Sequence, residues 1–209
     1  VMDVATGDIK ASVSVPAYDA NDLAASLQDP DSPFVNRAFS QYNVGSTFKL
    51  VVAAAALESG VSRYERYTCE GYADVGGHIF YCHWRNGHGN IDLKKAIEIS
   101  CNPFFIHLGL ETGGKNIVSM AREIGFTRAA QFTDDIRTQS GTLPSDAELE
   151  SDAAVANLSF GQGSLTATPI QIAQMVSTTA NGGFAVTPRL VEGFTDDGKT
   201  YYEHTAAYA

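Results

Sequence analysis

The sequence predicts a fold of the α/β (α+β) class, in which helices combine with short antiparallel strands. Three observations support this prediction. Two β-prone runs, at positions 1–4 and 9–15, flank the turn signal ATGD and predict an antiparallel pair. Five helical patterns with their own start or stop signals follow between positions 48 and 183. A last β-prone run, FAVTPRLVEGF, comes after the final helix. Strands and helices that are segregated in this way are typical of mixed folds.

The first predicted helix is the strongest and runs from Phe48 to about Ser59, with four consecutive alanines and a glycine after its end. Because it is apolar on all sides, we expect it at the centre of a domain. The segment IDLKKAIEIS predicts a helix that is capped by Asp92 and ends near Ser100. A third helix restarts immediately, with Pro103 at its first position.

Two further helices are predicted, KNIVSMAREIGF with Gly125 at its end and PIQIAQMVSTTANGG with Pro169 at its start. The intervening segments are polar and rich in turn residues: 16–45 and 127–151 are expected to be irregular, and 62–91 to be loop and hairpin. No internal repeat or low-complexity tract is visible.

The composition excludes several function classes. The chain has 209 residues and a formal net charge of −10, without any basic run, which argues against nucleic acid and against anionic membrane surfaces as partners. The sequence contains no signal peptide and no apolar stretch of 18 residues. Both ends interrupt a pattern, so we expect a piece of a longer protein whose membrane anchor lies outside these residues.

The three cysteines allow different interpretations. Cys69 and Cys82 flank a glycine-rich, turn-prone segment and could form a hairpin disulfide in an oxidising compartment. The histidines at 78, 83 and 88 make a zinc site a second possibility, but the spacing matches no common zinc motif, so no metal and no cofactor are expected. Reduced structural cysteines are the third possibility.

Two short motifs contain candidate catalytic residues. In NVGSTFKL, Ser46 and Lys49 are three residues apart at the start of a helix, so their side chains share one face. A lysine there can take the proton of the serine hydroxyl if its pKa is lowered; alternatively, the serine is an N-cap and the lysine a surface residue. Ser100 and Asn102 lie in a tight turn between helices, where they could relay a proton and bind a carbonyl, although Asn102 could simply be an N-cap.

Together these motifs are the serine/lysine set of the penicillin-interacting enzymes. The stretches FVNRAFSQYNVGSTFKL and SFGQGSLTATPIQIAQMVSTTANGG, with the first hairpin, resemble the transpeptidase domain of class B penicillin-binding proteins over nearly the whole chain. The resemblance is to the spore-division and elongation types, in which a pair like Cys69/Cys82 also recurs. It implies a helical cluster against an antiparallel sheet, with residues 1–209 forming a partial domain whose sheet is incomplete.

The resemblance implies a D,D-transpeptidase that cross-links peptidoglycan stem peptides through an acyl-enzyme and that β-lactams inhibit. Ser46 would be the nucleophile and Lys49 the general base. Ser100 would pass the proton to the leaving D-alanine, and Asn102 would orient Lys49 and the substrate. The backbone N–H of Ser46 and one from an edge strand would form the oxyanion hole.

Two departures from the family pattern stand out. Val44 replaces the usual proline before Gly-Ser, which should loosen the turn. No Lys-Thr-Gly motif is present; Lys199-Thr200-Tyr201 is a near match, but Lys199 belongs to a DDGK turn and is predicted to lie on the surface. The third motif and the last strands are therefore expected to lie outside the chain.

The resemblance further implies stem peptides on lipid II or nascent glycan strands as substrates, a glycosyltransferase as partner of the full-length protein, and a location on the extracytoplasmic face of the bacterial membrane. Two alternatives remain. A non-catalytic penicillin sensor would not need the G-Q-G and T-P-x-Q segment. A serine β-lactamase would need a deacylating base, for which the acidic residues of 127–151 are candidates.

Overall fold

The computed structural model describes residues 1–202. Its α-helices are α1 Leu23–Gln28, α2 Lys49–Glu58, α3 Leu93–Glu98, α4 Asn102–Thr112, α5 Gly114–Ile124, α6 Asp152–Ser159 and α7 Pro169–Ala180. Its strands are β1 Tyr42–Asn43, β2 Arg66–Cys69, β3 Tyr72–Val75, β4 His78–Tyr81, β5 Gly89–Asp92, β6 Thr166–Ala167, β7 Gly193–Asp196 and β8 Lys199–Tyr202. The pairs β2–β5, β3–β4 and β7–β8 are antiparallel, and the predicted mixed α and β class is confirmed.

The chain divides into two compact units. One comprises 1–42, 128–141 and the residues from Ala167 onward, and the other comprises 43–127 and 142–166. We refer to the second as the helical unit, because α2 to α6 lie within it.

The core of the helical unit forms where α4 packs against α2, α5 and α6. Phe48 and Phe126 meet edge to face there, with ring centroids 5.5 Å apart. The side chains that are less than 2% exposed include Phe104, Phe105, Ile106, Leu108, Ile117 and Leu158. The predicted central position of the alanine-rich helix is therefore confirmed, and this packing fixes the start of α2 against the turn that precedes α4.

The other unit is organised around α7. This helix begins with a complete capping box, in which Thr168 accepts from the backbone of Gln171 and Gln171 reaches back to the backbone of Thr168. Gln174 holds the following segment by donating to the carbonyl of Val186 at 2.8 Å. An ion pair between Asp8 and Arg189 joins the N-terminal segment to the same region.

Several sequence predictions need correction. The N-terminal runs form a single antiparallel bridge, Met2 to Ile9, instead of a strand pair. The run FAVTPRLVEGF is not a strand over its first nine residues; β7 begins only at Gly193. Two helices were missed, α1 inside the polar segment 16–45 and α6, whose Ser151 cap was assigned to a loop. The five predicted helices are all present, with the expected glycines after α2 and α5.

Candidate active site

The turn before α2 exposes Ser46 and buries Lys49. Residues Gly45–Phe48 form one 3-10 turn that continues directly into the helix, and Gly45 has a φ of +62° that glycine adopts without strain. Ser46 is exposed, whereas Lys49 is only 3% exposed. The N-cap alternative for Ser46 is wrong, since the residue that precedes α2 is Phe48 and makes no side-chain cap.

The ammonium group of Lys49 lies at the centre of the predicted catalytic residues. Its Nζ is 2.7 Å from Asn102 Oδ1, 2.9 Å from Ser100 Oγ and 3.2 Å from Ser46 Oγ. It also donates to the carbonyl oxygen of Ser100 at 2.8 Å. All four residues predicted from the sequence are therefore brought together around a single nitrogen.

Burial lowers the pKa of Lys49 from 10.5 to about 8, because the charged form loses hydration. Cys101 and Cys82 act weakly in the opposite direction. The ring of Phe105 lies below the amine, with its centroid 5.6 Å from Nζ. A large fraction of this lysine is thus neutral slightly above neutral pH, which is what a general base requires.

The turn Ser100–Asn102 is shaped to present its side chains to Lys49. Ser100 has a left-handed φ of +52°, and the N–H of Cys101 returns to the carbonyl of Ala96 at 3.0 Å. The capping alternative for Asn102 is wrong, since Asn102 is the first residue of α4 and Cys101 occupies the N-cap position. Asn102 instead accepts from Lys49 and donates to the carbonyl of Tyr81 at 3.2 Å.

A second cluster lies beside this turn. The ligand atoms of Cys69, Cys82, His88 and Cys101 all lie within 4.8 Å of one another, and we call this group the thiol–imidazole cluster. The three cysteines, each at most 2% exposed, carry free thiols, so the Cys69–Cys82 disulfide is not formed in this structure. Burial raises the pKa of the Cys101 thiol and lowers the pKa of His88.

The remaining candidates lie on the surface. Trp84 is 53% exposed and Arg85 stacks its guanidinium over the ring of Tyr81, so both lie at the surface of the segment that was predicted to be loop and hairpin. Lys199 is exposed at the start of β8, as predicted. Within the acidic segment, Glu148 uses both oxygens to accept from Ser145 and Ser164, which lowers its pKa to about 2. Such a carboxylate is a weak base.

Two features were missed by the sequence-based reasoning. Cys101 was not predicted to join the thiol–imidazole cluster, because it lies outside the segment 69–88 that contains the other three members. Gly161, in the G-Q-G stretch, packs against Gly45 beside the nucleophile; its carbonyl accepts from the Gly45 N–H at 2.9 Å. The family motif was the only signal for this contact.

Comparison with known proteins identifies the family of the chain. Residues 1–207 match the family model of the penicillin binding protein transpeptidase domain. The peptidoglycan D,D-transpeptidase PbpA of Mycolicibacterium smegmatis is 34% identical over an alignment of 209 positions. The alignment covers 91% of this chain and 42% of that protein. The chain thus spans about two fifths of the length of this relative.

Solved structures give the same result. The D,D-transpeptidase domain of a peptidoglycan glycosyltransferase from Eggerthella lenta superposes with a TM-score of 0.89 and 29% identity, over 100% of this chain and 55% of that one. Penicillin-binding protein A of Mycobacterium tuberculosis, solved as a ceftriaxone acyl-enzyme complex, gives a TM-score of 0.87 and 29% identity, over 99% and 51% of the two chains. The chain therefore belongs to the penicillin-binding protein transpeptidase domain family.

Proposed function

We propose that the chain forms the serine-containing part of a D,D-transpeptidase that cross-links peptidoglycan stem peptides. The observation that carries the proposal is the position of Lys49 Nζ, within hydrogen-bonding distance of Ser46 Oγ, Ser100 Oγ and Asn102 Oδ1. A buried amine with a lowered pKa next to an exposed serine is the arrangement that activates a hydroxyl nucleophile.

The mechanism follows from these contacts. Ser46 Oγ attacks the carbonyl carbon of the penultimate D-alanine while Lys49 takes the hydroxyl proton. The family resemblance implies that the Ser46 N–H and a second backbone N–H from an edge strand would hold the tetrahedral oxyanion. As the C–N bond breaks, the ammonium group of Lys49 gives this proton back through the Ser100 hydroxyl to the amine of the leaving D-alanine. The amine of a second stem peptide then attacks the acyl-enzyme and its proton returns through the same groups, which frees Ser46.

The substrates, partners and location follow from this function. Stem peptides on lipid II or on nascent glycan strands would provide the acyl group, β-lactams would acylate Ser46 as substrate mimics, and a glycosyltransferase would supply the strands. This chemistry belongs on the extracytoplasmic face of the bacterial membrane. Residues 1–202 contain no helix that is long and apolar enough to cross a membrane.

The test is the intact mass of the chain after incubation with a penicillin, compared with Ser46→Ala and Lys49→Ala. We expect an adduct of one penicillin on the wild type and none on either variant. The absence of an adduct on the wild type would overturn the proposal for this chain. A penicillin adduct on a chain that does not transfer the acyl group of a D-alanyl-D-alanine peptide to an added amine acceptor would instead favour the penicillin sensor. Rapid hydrolysis of a chromogenic cephalosporin would favour the β-lactamase.

A second function, the binding of a metal ion, is favoured by the thiol–imidazole cluster. In a tetrahedral zinc site, bond lengths of about 2.3 Å to sulfur and 2.0 Å to nitrogen place two such ligands about 3.5 Å apart. Cys82 Sγ and His88 Nδ1 are 3.5 Å apart. Three thiols and one imidazole within 4.8 Å form a Cys₃His set, which is typical of structural Zn²⁺. The ion would tie the segment 69–88 to the turn that contains Ser100 and Asn102.

Native mass spectrometry after zinc addition tests this second proposal. We expect one Zn²⁺ per chain, lost in Cys101→Ser and His88→Ala. The matched control is His83→Ala, because His83 is exposed and lies outside the cluster, although its Nδ1 is 3.8 Å from Cys82 Sγ. Equal zinc content in His88→Ala and His83→Ala, or no bound zinc in the wild type, would refute the site.

A further inference from the structure

The turn that contains Ser46 rests directly on Gly161. The N–H of Gly45 donates to the Gly161 carbonyl at 2.9 Å. A Cβ on Gly161 would lie only 1.8 Å from the carbonyl oxygen of Gly45, and Gly161 has a φ of +82°. Only glycine is therefore compatible with this contact, and any shift of Gly161 moves the turn before the nucleophile.

The segment after Gly161 is fixed in turn by Glu148. The hydroxyl of Ser164 donates to Glu148 Oε1 at 2.6 Å, and Ser145 donates to Oε2 through both its N–H and its hydroxyl, each at 2.7 Å. Thr142 adds a hydrogen bond to the carbonyl of Ser164 at 2.9 Å. Hydrogen bonds to an ionised carboxylate are stronger than those between neutral groups. The carboxylate thus joins the loop at 145–148 to the segment that continues from Gly161.

The turn at Gly45 that precedes Ser46 depends on these contacts of Gly161 and Glu148 in this chain. A proline at position 44 would fix φ by itself, whereas this chain has valine there. Val44 has a φ of −75°, which a proline would also adopt, but valine leaves the turn freer to move. The contact between Lys49 and Ser46, at 3.2 Å, is the longest of the four that Lys49 makes, so it is the first to be lost on a small displacement.

We propose that Glu148 is a positioning residue for Ser46, acting through Ser164 and Gly161 on the turn at Gly45. The proposal rests on the acyl-enzyme function given above. Because a misplacement of about 1 Å can cost as much as 10²-fold in rate, partial loosening by Glu148→Gln should lower the acylation rate constant about five- to tenfold. The affinity for the β-lactam before acylation should be unchanged, since Glu148 does not touch the ligand in this account.

Rapid-mixing kinetics with a fluorescent penicillin separates the dissociation constant from the acylation rate constant. The matched control is Glu150→Gln, since Glu150 is an exposed carboxylate in the same short helix at 148–150. We expect this control to behave like the wild type, and the double variant Val44→Pro/Glu148→Gln to recover most of the lost rate. If Glu148 had a purely structural role, Glu148→Gln would lower the melting temperature and the fraction of molecules that react. It would not lower the acylation rate constant of the molecules that do react.

Hydrogen exchange of the Gly45 amide tests the same link without any acylation. We expect faster exchange in Glu148→Gln than in the wild type and in Glu150→Gln, with partial recovery on adding Val44→Pro. Equal exchange in all variants, an unchanged acylation rate constant in Glu148→Gln, or no recovery with Val44→Pro would overturn the proposal. A wild type that does not acylate while Gly45 exchange changes as expected would refute the enzyme function but not the mechanical link.

Discussion

The lowered pKa of Lys49 makes a quantitative prediction about the pH dependence of Ser46 acylation. Only the neutral amine of Lys49 can accept the serine proton. Because the pKa of Lys49 is about 8, acidification below this pH charges the amine and slows the reaction. The neutral fraction is then about 1% at pH 6, about 10% at pH 7, about 50% at pH 8 and about 90% at pH 9. The acylation rate constant should therefore rise about ninetyfold from pH 6 to pH 9 and level off above pH 8.

The assay is the rate of covalent labelling by a fluorescent penicillin at subsaturating concentration, measured from pH 6 to pH 9. Lys49→Arg should be inactive throughout, since a guanidinium does not lose its proton in this range. Lys95→Arg is the matched control, because Lys95 is exposed and pairs with Glu98 on the surface of α3. It should reproduce the wild-type profile.

Two results would refute the reasoning. A flat profile would mean that Lys49 is not the proton acceptor. A rate that still increases tenfold per pH unit at pH 9 would mean that the lysine keeps its ordinary value of 10.5 and that burial does not tune it.

Three further predictions concern stability. If zinc is bound, its removal by a chelator should lower the melting temperature of the wild type by about 5 °C or more in differential scanning fluorimetry. The melting temperature of Cys101→Ser should not change. An unchanged melting temperature in the wild type would contradict a structural ion. Gly109→Ala should destabilise the chain by about 1–3 kcal/mol in urea unfolding, because the new Cβ would lie 2.7 Å from Ser159 Cβ. An unchanged free energy of unfolding would mean that α4 and α6 can separate freely. Val44→Pro should stabilise the chain by about 0.4–1 kcal/mol in the same assay, since its φ of −75° suits proline, and destabilisation would show that the turn needs the valine.

The sequence was sufficient for what depends on neighbouring residues. Lys49 follows Ser46 by three positions, so their shared face is a property of any helix that begins there. The cap at Asp92, the prolines at helix starts and the glycines after α2 and α5 are local signals, and the helices that carry them were predicted. The helix α6 was missed because it is only eight residues long, follows a polar loop, and its three alanines define no clear apolar face.

The tertiary structure decided what depends on contacts between distant segments. The motif around Asn102 by itself favoured capping, and only the packing of α2 against α4 brings the amide oxygen of Asn102 to 2.7 Å from Lys49 Nζ. The same packing buries Lys49, and burial alone lowers its pKa, because the loss of hydration depends on all surrounding segments. Cys101 joins Cys69, Cys82 and His88 across the fold, so no local spacing could identify the set. The amino-acid sequence determines which reactive side chains are present and which of them are neighbours on a helix. The distances between side chains of distant segments, and the loss of hydration that changes their pKa, arise only when the chain is packed.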